Sequence, residues 1–206
     1  MITLTFIAIY PEMEPLAKQV FEKQNETYAF PKSTEKHNLK VINVSSSSTN
    51  YVLDNIDEGD VLLARGGIAY DLKKRGFEIP VVEIPITGSD LLIAMQKAKK
   101  TYGIKKTAVI GSANMLLGVK TISEVLGLKV SEYQLRENSS QEVRRNIDRA
   151  KVDGCEVIVG GPYGSRYAET VGLHGVLIES GKESIWQSFL EARRIAHISH
   201  IERQKS

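Results

Sequence analysis

One cysteine, Cys155, stands in a chain of 206 residues. A disulfide within the chain is therefore impossible, and a metal cluster held by several thiolates is excluded. A single thiol also cannot supply both acid–base groups of the two-cysteine racemases, which likewise use duplicated α/β lobes. Charge of one sign is missing too. Lys and Arg number 27 against 25 Asp and Glu, a formal net charge of +2. That balance gives no bulk electrostatic reason to hold nucleic acid or a membrane surface. No apolar run approaches the roughly 20 residues of a membrane span. The start, Met1-Ile2-Thr3-Leu4-Thr5-Phe6, lacks the basic region and cleavage site of a signal peptide and reads as a strand. A reduced, cytoplasmic setting is the simplest expectation. Nucleotide fingerprints are absent as well: there is no G-x-x-x-x-G-K-[ST] loop, and no G-x-G-x-x-G follows a strand.

What is present is a repeat. Asp60-Val61-Leu62-Leu63-Ala64-Arg65-Gly66-Gly67 is an apolar run ending in a glycine pair. Val81-Val82-Glu83-Ile84 follows, and then Thr87-Gly88-Ser89-Asp90. The same order returns as Glu156-Val157-Ile158-Val159-Gly160-Gly161, Gly175-Val176-Leu177-Ile178 and Ser180-Gly181-Lys182-Glu183. Each copy reads as a strand, a glycine turn, a helix, a second strand, and a turn carrying a hydroxyl residue and a glycine. Hydrophobic content of 42% is enough for a real core at this length.

Strands and helices alternate through the remainder. Residues 4–9, 39–44, 60–64 and 80–84 are predicted strands of the first half, with helical spacing of Leu16, Val20 and Phe21 after Pro11. Four serines at 45–48 sit between a strand and the Tyr51-Val52-Leu53 run. They read as a strand-to-helix loop in preference to a flexible linker, with hydroxyls able to cap the helix or touch a ligand. Over 89–102, Leu91, Leu92, Met95 and Ala98 share a helical face opposite Lys97, Lys99 and Lys100. The second half has strands over 106–110, 129–135, 156–159 and 175–178. Its helices are predicted over 116–126, ended by Gly127, over 139–151, capped by Ser139 or Ser140 with Glu142 in the first turn, and over 183–202.

This alternation implies parallel sheets covered by helices on both faces. The expected fold is α/β, with two similar three-layer α/β/α lobes of four strands each. Lobe 1 is expected over residues 1–86, with the terminal helix 183–206 packing back on it, and lobe 2 over 87–182. Turns at the carboxyl ends of the strands would face one another across a cleft, where open α/β sheets bind ligands. The polar tail reads as the beginning of a further segment.

Arg65, Gly66 and Gly67 form the sharpest candidate site. The glycines allow close backbone approach, the following helix N-terminus offers N–H groups to an anion, and Arg65 adds a bidentate donor fork. The plain alternative is a surface arginine beside an ordinary turn, and either way its contribution to folding is expected to be small. Ser112 and Asn114, and Gly160 and Gly161, have the same placement after a strand. Ser89, Ser180 and Gly181 lie in the hydroxyl–glycine turns, which read as helix caps that can also reach a ligand. Glu83 and Glu179 fall at strand ends, yet no nucleophile accompanies them, so ligand-orienting or structural roles are favoured over acid–base work. His197 and His200 have a metal-compatible spacing without further ligands, and read as a solvated pair. His37 and His174 look isolated, Cys155 reads as a buried small residue, and Trp186 and Phe189 as core. No metal or cofactor is expected. A phosphoryl-accepting receiver would need a clustered acidic pocket, which does not stand out.

The segments at 60–67, 80–85 (Pro80-Val81-Val82-Glu83-Ile84-Pro85) and 178–185 (Ile178-Glu179-Ser180-Gly181-Lys182-Glu183-Ser184-Ile185) resemble the N-terminal sensory domain of the propionate-catabolism operon regulators, the PrpR family. The resemblance spans roughly residues 4–196. It implies a chelatase-like pair of α/β/α lobes in a sigma-54-dependent transcription activator. In such proteins this domain precedes an AAA+ ATPase and a helix-turn-helix domain, so it would touch no nucleic acid or membrane itself, with room for a homodimer. The implied effector is a small anion, 2-methylcitrate in the namesake, which agrees with the anion-seeking turns. The competing class is an α/β enzyme, a lyase or isomerase of small carboxylic acids; no catalytic constellation supports it.

Overall fold

The computed structural model describes residues 1–27, 36–44, 49–56, 59–76 and 78–205. The serine loop expected at 45–48 lies outside them. The chain forms two compact units, one of Met1–Pro85 with Lys182–Ser206 and the other of Ile86–Gly181.

The first unit begins with β1 (Ile2–Ala8), α1 (Met13–Thr27), β2 (His37–Asn43), α2 (Thr49–Asn55), β3 (Val61–Arg65), α3 (Gly66–Lys74) and β4 (Val81–Ile84). Its four strands are parallel, in the order β2-β1-β3-β4. Strand β1 shows why the sequence folds this way. Ile2, Leu4, Phe6 and Ala8 are buried on one face while Thr5 and Ile7 are buried on the other, as a strand covered on both sides requires. On one face Ile7, Leu62 and Ala64 pack against Val52 of α2 and Ile68, Ala69 and Leu72 of α3.

The second unit contains α4 (Gly88–Tyr102), β5 (Thr107–Gly111), α5 (Ala113–Leu116), α6 (Val119–Leu126), β6 (Val130–Gln134), α7 (Ser140–Val152), β7 (Val157–Gly160), α8 (Pro162–Thr170) and β8 (His174–Leu177). Its sheet repeats the pattern, β6-β5-β7-β8, all parallel. Helix α4, with Leu91, Ala94, Met95 and Ala98, covers one face over Val109, Val157, Val159 and Val176. Ile147 and Ala150 of α7 and Ala168 of α8 cover the other, over Ala108, Ile110 and Ile158. Each unit is thus a layered α/β fold with a four-stranded parallel sheet.

The chain ends with α9 (Lys182–Lys205), which contributes to the first unit by packing on α1, β1, β3 and β4. Ile185, Phe189, Ala192 and Ala196 are buried at helical spacing, and Phe189 lies 5.7 Å from the ring of Phe6 and 5.6 Å from that of Phe21.

One expected helix is different. The segment read as a single helix over 116–126 is two pieces broken at Leu117 and Gly118. Ser112 starts a turn early, its carbonyl accepting from the N–H groups of Met115 and Leu116, and the carbonyl of Gly118 then restarts the ladder with Ile122. Glycine's poor helix propensity places the break. The end at Gly127 is as expected.

Candidate functional site

The candidates gather at the carboxyl ends of the strands. In the first unit Arg65 is the last residue of β3, level with Ile84 of β4, and its extended backbone is the N-cap of α3. Gly66 follows at φ +56° with open space where a side chain would be. That left-handed geometry lets the chain turn from strand into helix at once, and glycine adopts it without penalty. Gly67 is the second residue of α3. The plain alternative, a surface arginine that contributes little to folding, does not hold. It is only 3% exposed, and its guanidinium carbon lies 5.9 Å from the centre of the Tyr10 ring. Replacing so buried a side chain removes packing as well as charge.

In the second unit Val109 pairs with Val159, and the neighbouring strands β5 and β7 end at Gly111 and Gly160. Ser112 is the N-cap of α5 and Gly161 that of α8. The Ser112 Oγ donates to Asn114 Oδ1 at 2.6 Å, and both side chains are exposed. Pro162 occupies the first position of α8, which removes one N–H from that turn. A side chain at Gly160 would sit 3.2 Å from the Ile110 carbonyl oxygen, so β5 and β7 approach closely there.

Gly181 is tied to the turn that carries Ser89 through a residue that sequence reasoning passed over. Asp90, 4% exposed, accepts from the Thr87 N–H at 3.0 Å and from the Gly181 N–H at 2.8 Å. The Thr87 hydroxyl accepts in turn from the Asp90 N–H, completing a capping box. The carboxylate therefore ties the start of α4 to the segment after β8. Ser89 is exposed in the first turn of α4, whereas Ser180 is buried. The T-x-x-D spacing was legible; the second bond, to a residue 91 positions away, was not.

Glu83 forms an ion pair with Lys73 at 3.3 Å, a structural role, and Glu179 is exposed. Among the described residues no group of three or more His, Cys, Asp or Glu is placed to hold a metal ion, and no helix is long and apolar enough to cross a membrane.

Residues 34–202 match the family described as propionate catabolism activator. The chain belongs to this family. Among solved structures it is similar to an NtrC family transcriptional regulator from Clostridium acetobutylicum. The TM-score is 0.75 at 22% identity, covering 96% of this chain and 98% of that one. A looser likeness, TM-score 0.48 at 14% identity, is to an ABC domain from Streptococcus pneumonia in complex with L-Trp, covering 94% and 84%; it is too distant to compare sites. Membership of the propionate catabolism activators makes this chain a regulatory sensory domain and sets the enzyme reading aside.

In this family member two further clusters escaped the sequence. His37, which looked isolated, lies 2.8 Å through Nδ1 from Nη1 of the buried Arg193. A guanidinium only donates, so that ring nitrogen is the acceptor. Arg193 Nε also donates to Gln24 Oε1 at 2.8 Å, and burial lowers its pKa to about 10. Near the start of β7, Tyr133 donates to Asp153 Oδ2 at 2.6 Å. Burial, and then that bond, push the phenol well up from its ordinary value, and burial pushes the neighbouring Cys155 thiol up. A raised thiol is an unreactive one.

Proposed function

We propose that this domain senses a small anionic metabolite of the 2-methylcitrate type in the cytoplasm and controls a downstream AAA+ ATPase. The observation that carries the reading is Arg65 at the end of β3, followed by the N-terminus of α3 with its glycine turn. A cation beside free helical N–H groups suits a carboxylate. The turns at Ser112 and Asn114, Gly160 and Gly161, and Ser89, Ser180 and Gly181 are the ligand-binding candidates of the second unit, assigned on their own placement after strands. Family membership supports the regulatory role, and α9 is the segment that would relay the response.

The test is calorimetric titration with 2-methylcitrate, citrate and other small carboxylates, paired with thermal melting. Saturation at 100 times Kd adds about 2.7 kcal/mol to stability. Arg65→Ala should weaken binding by about 1.5–3 kcal/mol, the value of a charged hydrogen bond. Ser112→Ala tests the turns of the second unit in the same way and should weaken any ligand held there. Unmoved melting across the whole panel would remove the proposal's support. For the relay, two residues inserted near Ile201 rotate everything beyond by about 200°. In the full regulator, an unchanged effector response would mean that helix phase carries no signal.

A further inference from the structure

Among the described residues the sheet of the second unit stops at β8, which has β7 on one side and no strand on the other. Beside this edge lies a cavity of about 300 Å³ walled by α4 and α8. A glycine sets the spacing of two of its walls. A Cβ at Gly175 would stand 2.0 Å from the Ser165 carbonyl oxygen, so only glycine lets β8 lie this close to α8. Val176, Leu177 and the ring of Tyr102 supply an apolar lining, and Tyr102 is fixed by stacking on His174 at 4.2 Å.

The polar groups are unevenly matched. Lys97 comes from α4 and Arg166 from α8, so cations line the cavity from two different helices. Among the described residues neither forms an ion pair. The cavity's one carboxylate, Glu169, is turned onto backbone, its Oε1 accepting from the Gly175 N–H at 2.7 Å. It blunts the strand edge and is held there. Two cations around an apolar lining, in a volume at the small end of metabolite sites, define a ligand class.

We propose that this cavity is a second binding site, for a small organic anion with an apolar body, independent of the turns at the carboxyl ends of the strands. The apolar part would lie on Val176, Leu177 and Tyr102, with the anionic group between Lys97 and Arg166. An arginine fork and a mobile ammonium together accept a carboxylate or a phosphate ester; the probes below separate charge from apolar contact.

The test is an amide NMR titration of the 206-residue protein with benzoate, succinate and inorganic phosphate. The Gly175 and Leu177 amides should shift and saturate with benzoate at an affinity at least threefold above that for phosphate. The double variant Lys97→Ala/Arg166→Ala should weaken that binding at least tenfold. Lys100→Ala, exposed on the same helix, should leave it unchanged. All three side chains are exposed, so the variants should keep the parent melting temperature. Phosphate binding as tightly as benzoate, an unaffected double variant, or no titration at Gly175 and Leu177 would each overturn the proposal. Shifts confined to Ser112 and Gly161 would overturn it while supporting the ligand reading of those turns.

Discussion

The two units share a frame and differ in what is mounted on it. Leu4 pairs with Val61 in the first sheet as Thr107 pairs with Val157 in the second, so positions can be matched one to one. Arg65, the N-cap of α3, then corresponds to Gly161, the N-cap of α8. Ile42 of β2 corresponds to Tyr133 of β6. The first unit carries a cation at its strand end and an aromatic core built on Phe6, Phe21 and Phe189. The second has a neutral, proline-stiffened turn, an aliphatic core and polar ties at Asp90 and Tyr133. Strand order follows from a repeated apolar pattern that many residues share. The chemistry of a turn rests on one or two residues, so it diverges while the frame stays.

The largest expected effect tests whether the two cores are separate. Phe189→Ala empties a fully buried site in the first unit and should cost about 3–5 kcal/mol. Met95→Ala does the same in the second unit at about 2–5 kcal/mol. Amide exchange should rise in β1 and β3 for the first variant and in β5 and β7 for the second. Equal loss in both sheets from either substitution would mean that the units unfold as one body, and the comparison would describe ancestry alone.

Asp90 comes next. It holds two backbone N–H groups while buried, and charged hydrogen bonds contribute about 1.5–3 kcal/mol each. Asp90→Ala should destabilise the second unit by about 3 kcal/mol, read from chemical denaturation of the isolated domain. A loss below about 1 kcal/mol would show that water replaces the carboxylate.

These two sites also mark what the sequence could disclose. Apolar runs at 61–64 and 157–159, each with glycines soon after, made the parallel α/β alternation readable, because a strand buried on both faces must be apolar throughout. Thr87 and Ser139 were readable as caps, since a cap partner lies three residues away. Nothing local links Asp90 to Gly181, or Arg193 to His37 and Gln24, since these pairings depend on packing between distant segments. Arg65 shows the same limit. Its position at a strand end was visible, but not that Tyr10, from the end of another strand, would lie against its guanidinium and bury it.

The glycines at the two helix starts, one position out of register with each other, give a smaller contrast. Gly66 has φ +56° and Gly161 φ −74°, and a Cβ added at either would meet no other atom within 4 Å. Gly66→Ala should therefore cost about 1–2 kcal/mol from left-handed strain alone. Gly161→Ala should stay within about 0.5 kcal/mol, because reduced chain entropy in the unfolded state offsets a poorer N-cap. Equal melting temperatures for the two variants would contradict the difference in backbone geometry.

The smallest effect concerns Tyr133, where the first unit has Ile42. Tyr133→Phe removes the bond to Asp153, whose exposed carboxylate can turn to water, so at pH 7 the cost should be about 1 kcal/mol. The pH dependence is more specific. Burial and the bond to Asp153 raise the folded phenol's pKa above its ordinary 10.0. The folded state therefore keeps its proton where the unfolded chain releases it. The phenol's contribution is complete below about pH 10 and is lost as pH rises from there toward the folded pKa. Phenylalanine has no proton to lose. The stability gap between the two proteins should thus narrow from about pH 9 to pH 11, with the other titrating groups cancelling in the difference. A gap that stays constant over that range would show that the Tyr133 hydroxyl ionises as readily in the folded protein as in the unfolded chain.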